Sequence, residues 1–399
     1  MNPLTITDPV RLGELCGRLG SAQHIGIDTE FVSEDTFFPE LCLIQVATKD
    51  ELATIDAFAI EDLRPFWQVL TQGDHITILH AGREELNFML RAVGAVPKHL
   101  FDVQIAAGFC SNEYPSAYGS VVSRFLGHKP AKGEQRTDWR KRPLTNAQIN
   151  YALEDVRYLL PLYHCIVQIL TERERLSWLE EEMQSWQEDV IAAQDRKDWR
   201  RVSGTGKLSP ASLAVVRELW HWRYEEAQRR NRPQRRILRD DLIVELAKRK
   251  VDSPKQIMAV RGMERSAVKK NATELAACVR RGLESPVESE QRGKRRQPPS
   301  QLNLLGQFLA PALGTICHRA ELAASLAGTA SSVRDLIAYR MGFPSEGSSR
   351  DGRSPLPSLA RGWRAELVGK VIDDLLEGKK SIRIVNAKDT DPLVFEDVR

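Results

Sequence analysis

His24-Ile25-Gly26-Ile27-Asp28-Thr29-Glu30-Phe31 is the stretch that decides how the first part of this chain folds. Its apolar, β-branched content predicts a buried strand. Side chains two apart on a strand share a face, so Asp28 and Glu30 project together while Ile27, Thr29 and Phe31 face the other way. Neighbouring carboxylates repel, and burial makes them costly unless a cation neutralises them. Magnesium or manganese, which prefer hard oxygen donors, would serve. A solvated strand end could carry the same two acids simply to blunt an edge, so their meaning depends on the rest of the chain.

Working outward, LCLIQVA (41–47), LATID (52–56) and ITILHA (76–81) predict further strands. REELNFMLRAVG (83–94) predicts a helix closed by glycine, and residues 145–171 predict another. Strands grouped early and mixed with helices give an α/β class with a mixed sheet. Beyond residue 171 the periodicity is helical. The expected boundaries are a first domain over 1–171, a helical linker over 172–207 and a helical domain over 208–287. A charged, proline-bearing linker over 288–300, a second helical domain over 301–379 and a tail over 380–399 complete them.

Composition sets outer limits. With 399 residues, 42% hydrophobic and 28% charged, the chain predicts a soluble protein of two or three domains. It carries no long apolar run, so no membrane association is expected, and its first residues do not read as a secretory signal. Six cysteines without a close pair argue against a disulfide scaffold or structural zinc and favour a cytoplasmic setting. The net charge is only +3, but basic residues cluster at 129–142, 229–239, 265–270 and 292–296, a pattern suited to phosphate backbones.

A second acidic element lies in Asn150-Tyr151-Ala152-Leu153-Glu154-Asp155-Val156. Helical spacing puts Tyr151 and Asp155 on one face. A carboxylate and a phenol presented together suit metal-assisted hydrolysis, the first as a cation ligand and the second as an orienter of water or phosphate. Alone, this spacing is common. His80-Ala81-Gly82-Arg83-Glu84-Glu85-Leu86 forms a strand-to-helix junction, a usual place for functional groups. Both glutamates there would also suit a helix N-terminus electrostatically. Asp102 reads as a helix cap.

Together, DTEFV (28–32), FPELCLIQ (38–45), HAGREEL (80–86), FDVQIAA (101–107), RTDWRKRPL (136–144) and YALEDVRYLLPLY (151–163) resemble the ribonuclease D family. That family is the tyrosine-containing branch of the DEDD exonucleases. The resemblance implies a ribonuclease-H-like exonuclease domain and two divalent cations, Mg2+ or Mn2+. Asp28, Glu30, Glu85 and Asp155 would be the ligands, and Tyr151 would position the attacking water. It also implies release of nucleoside 5′-monophosphates from RNA 3′ ends, with tRNA precursors and other small structured RNAs as substrates. One position departs: the family's second motif usually ends in aspartate where this chain has Glu85. Glutamate keeps the charge but places it roughly 1 Å or more further from the backbone, a shift that matters in catalysis. Glu84 points about 100° away on a helix and is the poorer substitute.

In the loop before residue 145, Lys132, Arg136 and Arg140 are expected phosphate contacts, with Trp139 stacking on a base or fixing the loop. Residues 219–263 resemble the helicase-and-ribonuclease-D C-terminal (HRDC) domain, an all-α nucleic-acid-binding module. Arg235, Arg236 and Lys269 are its candidate contacts. LARGWRAELVGKVIDDLLEG (359–378) resembles a degenerate second copy, while Trp220 and Tyr224 read as core. The leading expectation is a monomeric exoribonuclease. Rival expectations are a DNA 3′→5′ exonuclease and a catalytically weak RNA-binding protein in which Glu85 marks decay of the site.

Overall fold

Strand-forming residues cluster where the chain must cross its own core. The computed structural model describes residues 4–130, 133, 137–194, 198–263, 269–285, 300–343, 356–389 and 391–398. Six strands, β1 (Leu4–Ile6), β2 (His24–Val32), β3 (Glu40–Ala47), β4 (Leu52–Asp56), β5 (Ile76–Leu79) and β6 (His99–Asp102), form one sheet in the order β1-β4-β3-β2-β5-β6. β3 and β4 are antiparallel, while β1–β4, β2–β5 and β5–β6 are parallel, so the sheet is mixed as expected. The short edge strands β1 and β6 were not expected. At three residues β1 is too brief to display alternation, and β6 (HLFD) lacks the β-branched content that marks β5 (ITIL).

Helices α1 (Pro9–Leu19), α2 (Arg64–Gln72), α3 (Arg83–Val93), α4 (Val103–Gly108), α5 (Tyr118–Leu126), α6 (Asn146–Arg157), α7 (Leu159–Glu172) and α8 (Leu176–Gln194) accompany the sheet. α3 ends on Gly94 at φ +70°, a left-handed cap that glycine adopts without strain. The single helix expected over 145–171 is two, α6 and α7, and the break has a local cause. The Tyr118 hydroxyl donates to the Glu154 carbonyl at 3.1 Å and accepts from the Tyr158 amide at 3.2 Å, so it stands in the place of one rung of the helical ladder. Pro161 has no N–H to offer the carbonyl of Arg157 and therefore tolerates the break.

Contacts divide the chain into one unit of residues 1–29, 43–191 and 297–399 and another of 30–42 and 192–296. In the first, helices α14 (Ser300–Arg319), α15 (Ala324–Ala327) and α16 (Ala330–Arg340) share a core with the sheet domain. Arg175 donates to the Phe109 and Ala320 carbonyls at 2.8 and 2.6 Å, and the buried Trp363 lies 4.9 Å from Phe109. The described parts of this segment, 300–343 and 356–376, thus bury apolar side chains against the N-terminal half. The tail, expected as a strand or extended arm, forms an antiparallel hairpin of Lys380–Ile384 and Leu393–Asp397.

The second unit contains α9 (Pro210–Arg229), α10 (Gln234–Ile237), α11 (Asp240–Arg249), α12 (Pro254–Met258) and α13 (Ala272–Glu284). Trp220, 6% exposed, stacks on Tyr224 at 5.3 Å, as a core pair should. Phe37 packs edge-on against Tyr224 at 5.2 Å and its amide donates to Asn231 Oδ1 at 3.1 Å. Among the described residues no helix is long and apolar enough to cross a membrane. The expected linker 288–300, Ser300 apart, and the basic stretch 292–296 lie outside the described residues, as do Lys132 and Arg136.

Candidate active site

β2 supplies the first two carboxylates. Ile25 and Ile27 are fully buried, and Asp28 and Glu30 leave the strand on one face. Gly26 lies on that face too, and a Cβ there would come within 3.1 Å of the Leu159 side chain. Its bareness lets the α6–α7 junction lie close against β2. α6 begins with a capping box, Thr145 receiving the Gln148 amide at 3.2 Å and Gln148 returning the contact at 3.0 Å. That cap fixes the start of the helix that presents Tyr151 and Asp155 one turn apart.

Asp155 is pushed up to about 6, chiefly by burial and further by Glu154, against a hydrogen bond with Tyr151 that favours its ionised form. Burial also pushes the Tyr118 phenol up, and both Asp155 and Asp28 add to the effect through their charge. Tyr118 is a partly buried residue that sequence reasoning does not single out. Tyr118→Phe should remove the hydroxyl bridge between the Glu154 carbonyl and the Tyr158 amide, lowering unfolding free energy by about 1–2 kcal/mol in urea denaturation. A loss below about 0.5 kcal/mol would mean that the ladder re-forms without it.

Glu85 sits in the first turn of α3 and is 4% exposed. Thr29 Oγ1 donates to its Oε1 at 2.5 Å. Burial pushes Glu85 up to about 7, and Glu84 and Asp102 add to the rise, while the Thr29 hydrogen bond opposes it. Glu84 turns aside and accepts from Asn87 at 3.1 Å. Asp102 caps α4 as expected, accepting from Gln104 and Ile105 amides at 2.8 and 3.2 Å. It also receives the Gly82 amide at 2.9 Å, so it pins the loop that starts α3. His80 contacts the Ser116 carbonyl at 3.0 Å and meets Tyr118 edge-on at 5.4 Å, a structural placement.

The donor set consists of carboxylates, the kind a hard divalent cation takes, and burial makes two of them reluctant to ionise without one. Among the described residues, no three His, Cys, Asp or Glu side chains gather closely enough to hold a metal ion as placed. The fold pairs Tyr151 with Asp155 on α6 and brings Glu85 to Thr29, the residue after Asp28.

These shifts set a sign for pH dependence. Between their ordinary values, 3.8 and 4.5, and about 6 and 7, Asp155 and Glu85 hold protons in the folded chain that the unfolded chain has released. Stability contributed by these groups therefore falls as pH rises through that window. In chelator, Asp155→Asn should stabilise the protein at pH 8 by on the order of 2 kcal/mol, with the gain vanishing below pH ~4. Melting temperatures at the two pH values read this directly.

The expected nucleic-acid contacts divide. Arg235, Arg236 and Lys269 are exposed, Arg235 bearing only a 3.7 Å ion pair with Asp240. Arg140 is half-buried, its amide bonded to Asp138 at 3.1 Å. Trp139 requires a correction. It is 3% exposed, so its ring offers no free face for a base; it lies instead 6.2 Å from the Tyr151 ring, with its indole N–H finding no acceptor among the described residues. Arg142, which the sequence did not single out, makes a bidentate pair with Asp56 at 2.6 and 2.8 Å and stacks over Phe58.

Comparison with known proteins identifies the family. The family model for 3′-5′ exonucleases matches residues 3–171, and that for the HRDC domain matches residues 212–279. Ribonuclease D of Zymomonas mobilis is 31% identical over 97% of this chain and 97% of its own length. The chain belongs to the ribonuclease D family. Ribonuclease D of Nitrobacter hamburgensis is 30% identical over 95% of this chain and 96% of its own. The crystal structure of Escherichia coli RNase D, described as an exoribonuclease involved in structured RNA processing, superposes with a TM-score of 0.79. It is 27% identical and covers 95% of this chain and 99% of its own. The chain is thus a 3′-5′ exoribonuclease, a hydrolase acting on nucleic acid.

Proposed function

We propose that this exoribonuclease trims the 3′ ends of tRNA precursors and other small structured RNAs, releasing nucleoside 5′-monophosphates. The observation that carries the reading is the hydrogen-bonded Tyr151–Asp155 pair on α6, held against the strand that bears Asp28. The relatedness to E. coli RNase D supports the choice of structured RNA.

Asp28, Glu30, Asp155 and Glu85 would be the oxygen donors for two divalent cations, magnesium or manganese. When bound, such a pair neutralises the scissile phosphate and eases deprotonation of the attacking water. The protein's own part is orientation. Asp155 holds the Tyr151 hydroxyl, and that hydroxyl aims the water at phosphorus opposite the departing 3′ oxygen. Trp139 backs the Tyr151 ring. Arg140, Arg235, Arg236 and Lys269, with Lys132 and Arg136, take phosphates along the strand, which makes binding weaken with salt. The protein acts as a monomer in the cytoplasm.

The test is a 3′-extended tRNA precursor and a matched DNA oligomer, each offered in magnesium, manganese or chelator. Metal-dependent release of 5′-mononucleotides from the RNA, absent in Asp28→Ala, supports the proposal. Equal cleavage of the DNA would overturn the substrate class, and release that persists in chelator would overturn the role of the cations.

A further inference from the structure

α6 and α7 meet at a turn that a side chain closes in place of the backbone. The Glu154 carbonyl and the Tyr158 amide stand four residues apart, the spacing of one helical rung. Each goes instead to the Tyr118 hydroxyl, which donates to the carbonyl at 3.1 Å and accepts from the amide at 3.2 Å. A side chain inserted into the ladder is a recognised cause of a helix break. Tyr158 leaves the helical range accordingly, at φ −99° and ψ 0°. Asp155 therefore lies in the last turn before the break, with Tyr151 one turn earlier. Just past the break, Leu159 lies against Gly26 of the strand that bears Asp28.

The tyrosine is itself braced from two other elements. It opens α5, and the Ser116 carbonyl two residues before it receives His80 Nε2 at 3.0 Å and Gln104 Nε2 at 2.9 Å. His80 also sets its ring edge-on to the phenol, at 5.4 Å. The hydroxyl thus reaches α6 from a fixed post rather than from a free loop.

We propose that Tyr118 is a positioning residue, whose hydroxyl fixes the last turn of α6 and so sets how Tyr151 and Asp155 are presented. This rests on the reading of those two residues as the pair that orients the attacking water. The carbonyls of a last helical turn lack partners within the helix, so that turn takes its geometry from whatever caps it. A misplacement of about 1 Å at a reacting group costs up to roughly a hundredfold in rate.

The full chain carries the test in Tyr118→Phe, with Ile6→Val as a stability control and Tyr151→Phe as a check on the underlying reading. kcat and KM are read on a 3′-extended RNA well below the melting temperature. Amide exchange across 151–162 is read by mass spectrometry in chelator. Tyr118→Phe should lower kcat by about 10–100-fold with KM unchanged, and should speed exchange within 154–160. Ile6, 3% exposed on the edge strand β1, should lose a comparable amount of stability as valine and keep wild-type turnover. Wild-type kcat in Tyr118→Phe would overturn the proposal, as would a rise in KM in place of the loss in kcat. Exchange no faster than wild type would also overturn it, because the turn would then not depend on the hydroxyl. An equal loss of kcat in Ile6→Val would make the effect one of stability alone. Wild-type turnover in Tyr151→Phe would sink instead the reading on which the proposal rests.

Discussion

Asp155→Asn should lower exonucleolytic turnover by about a thousandfold or more, in a protein that still folds and still binds RNA. The substitution keeps the shape of the side chain and its ability to accept from Tyr151, but removes its negative charge. Charge is what a hard cation needs, and a clamp on the scissile phosphate supplies several kcal/mol of transition-state stabilisation, each 1.36 kcal/mol being tenfold in rate. Tyr151 would stay roughly in place, so orientation alone is retained. Single-turnover rates under saturating enzyme check this, with RNA affinity measured separately in chelator. A rate loss of under about tenfold would remove Asp155 from the chemistry. Loss of RNA affinity instead of rate would make it a substrate-binding group.

The legibility of this outcome in the sequence was uneven, for physical reasons. The alternation around Asp28, strands β2 to β5, the helix bearing Tyr151 and Asp155, and the Asp102 cap are local features, written in neighbouring residues. What escaped depends on distant groups. The break between α6 and α7 is made by a hydroxyl 36 positions from the carbonyl it meets, and nothing in YALEDVRYLLPLY announces it. Asp102 reads as a cap but not as the acceptor of the Gly82 amide. Trp139 sits among basic residues, which suggests exposure, yet Arg142 pulls its loop inward through Asp56. The segment 301–379 has the periodicity of a separate bundle, but periodicity does not say which core its apolar face will join.

Shape and charge also act on different parts of the site. Glu85 and Asp155 are held up by burial, so the folded protein carries a cost at high pH that a cation bound beside them would relieve. The same sign follows for metal affinity, which should rise with pH as these carboxyls give up protons. Preorganisation around them comes from neutral groups: the hydroxyls of Thr29, Tyr118 and Tyr151, and the amide of Gly82. A site built in this way keeps its framework as its protonation changes.

The second large effect concerns stability. Arg142→Met should lower unfolding free energy by about 3 kcal/mol at neutral pH. Asp56 ends β4 and is 8% exposed. Burial alone would raise it, but hydrogen bonds and charge from Arg142, with the Phe58 and Ala59 amides, hold its carboxyl below the usual range. Methionine would preserve the volume beside Phe58 and leave that carboxylate buried without its counter-ion, a change that costs about 3–5 kcal/mol for well-buried pairs. This pair keeps some exposure, 25% and 11% for the two side chains, which favours the lower end. The cost should shrink in acid. A lowered carboxyl contributes stability above its ordinary value and loses it as pH falls through the folded one, so wild type and variant should converge as pH falls below the ordinary carboxylate range. Arg142 also donates to the Trp139 carbonyl at 2.7 Å, and Trp139 backs Tyr151. The variant should therefore lose kcat as well as stability. The double Asp56→Leu/Arg142→Met chain, with no charge left to strand, should recover much of the stability while kcat stays low. If it recovers neither, the pair matters for packing rather than for charge; if it recovers both, the loop does not position the tyrosine.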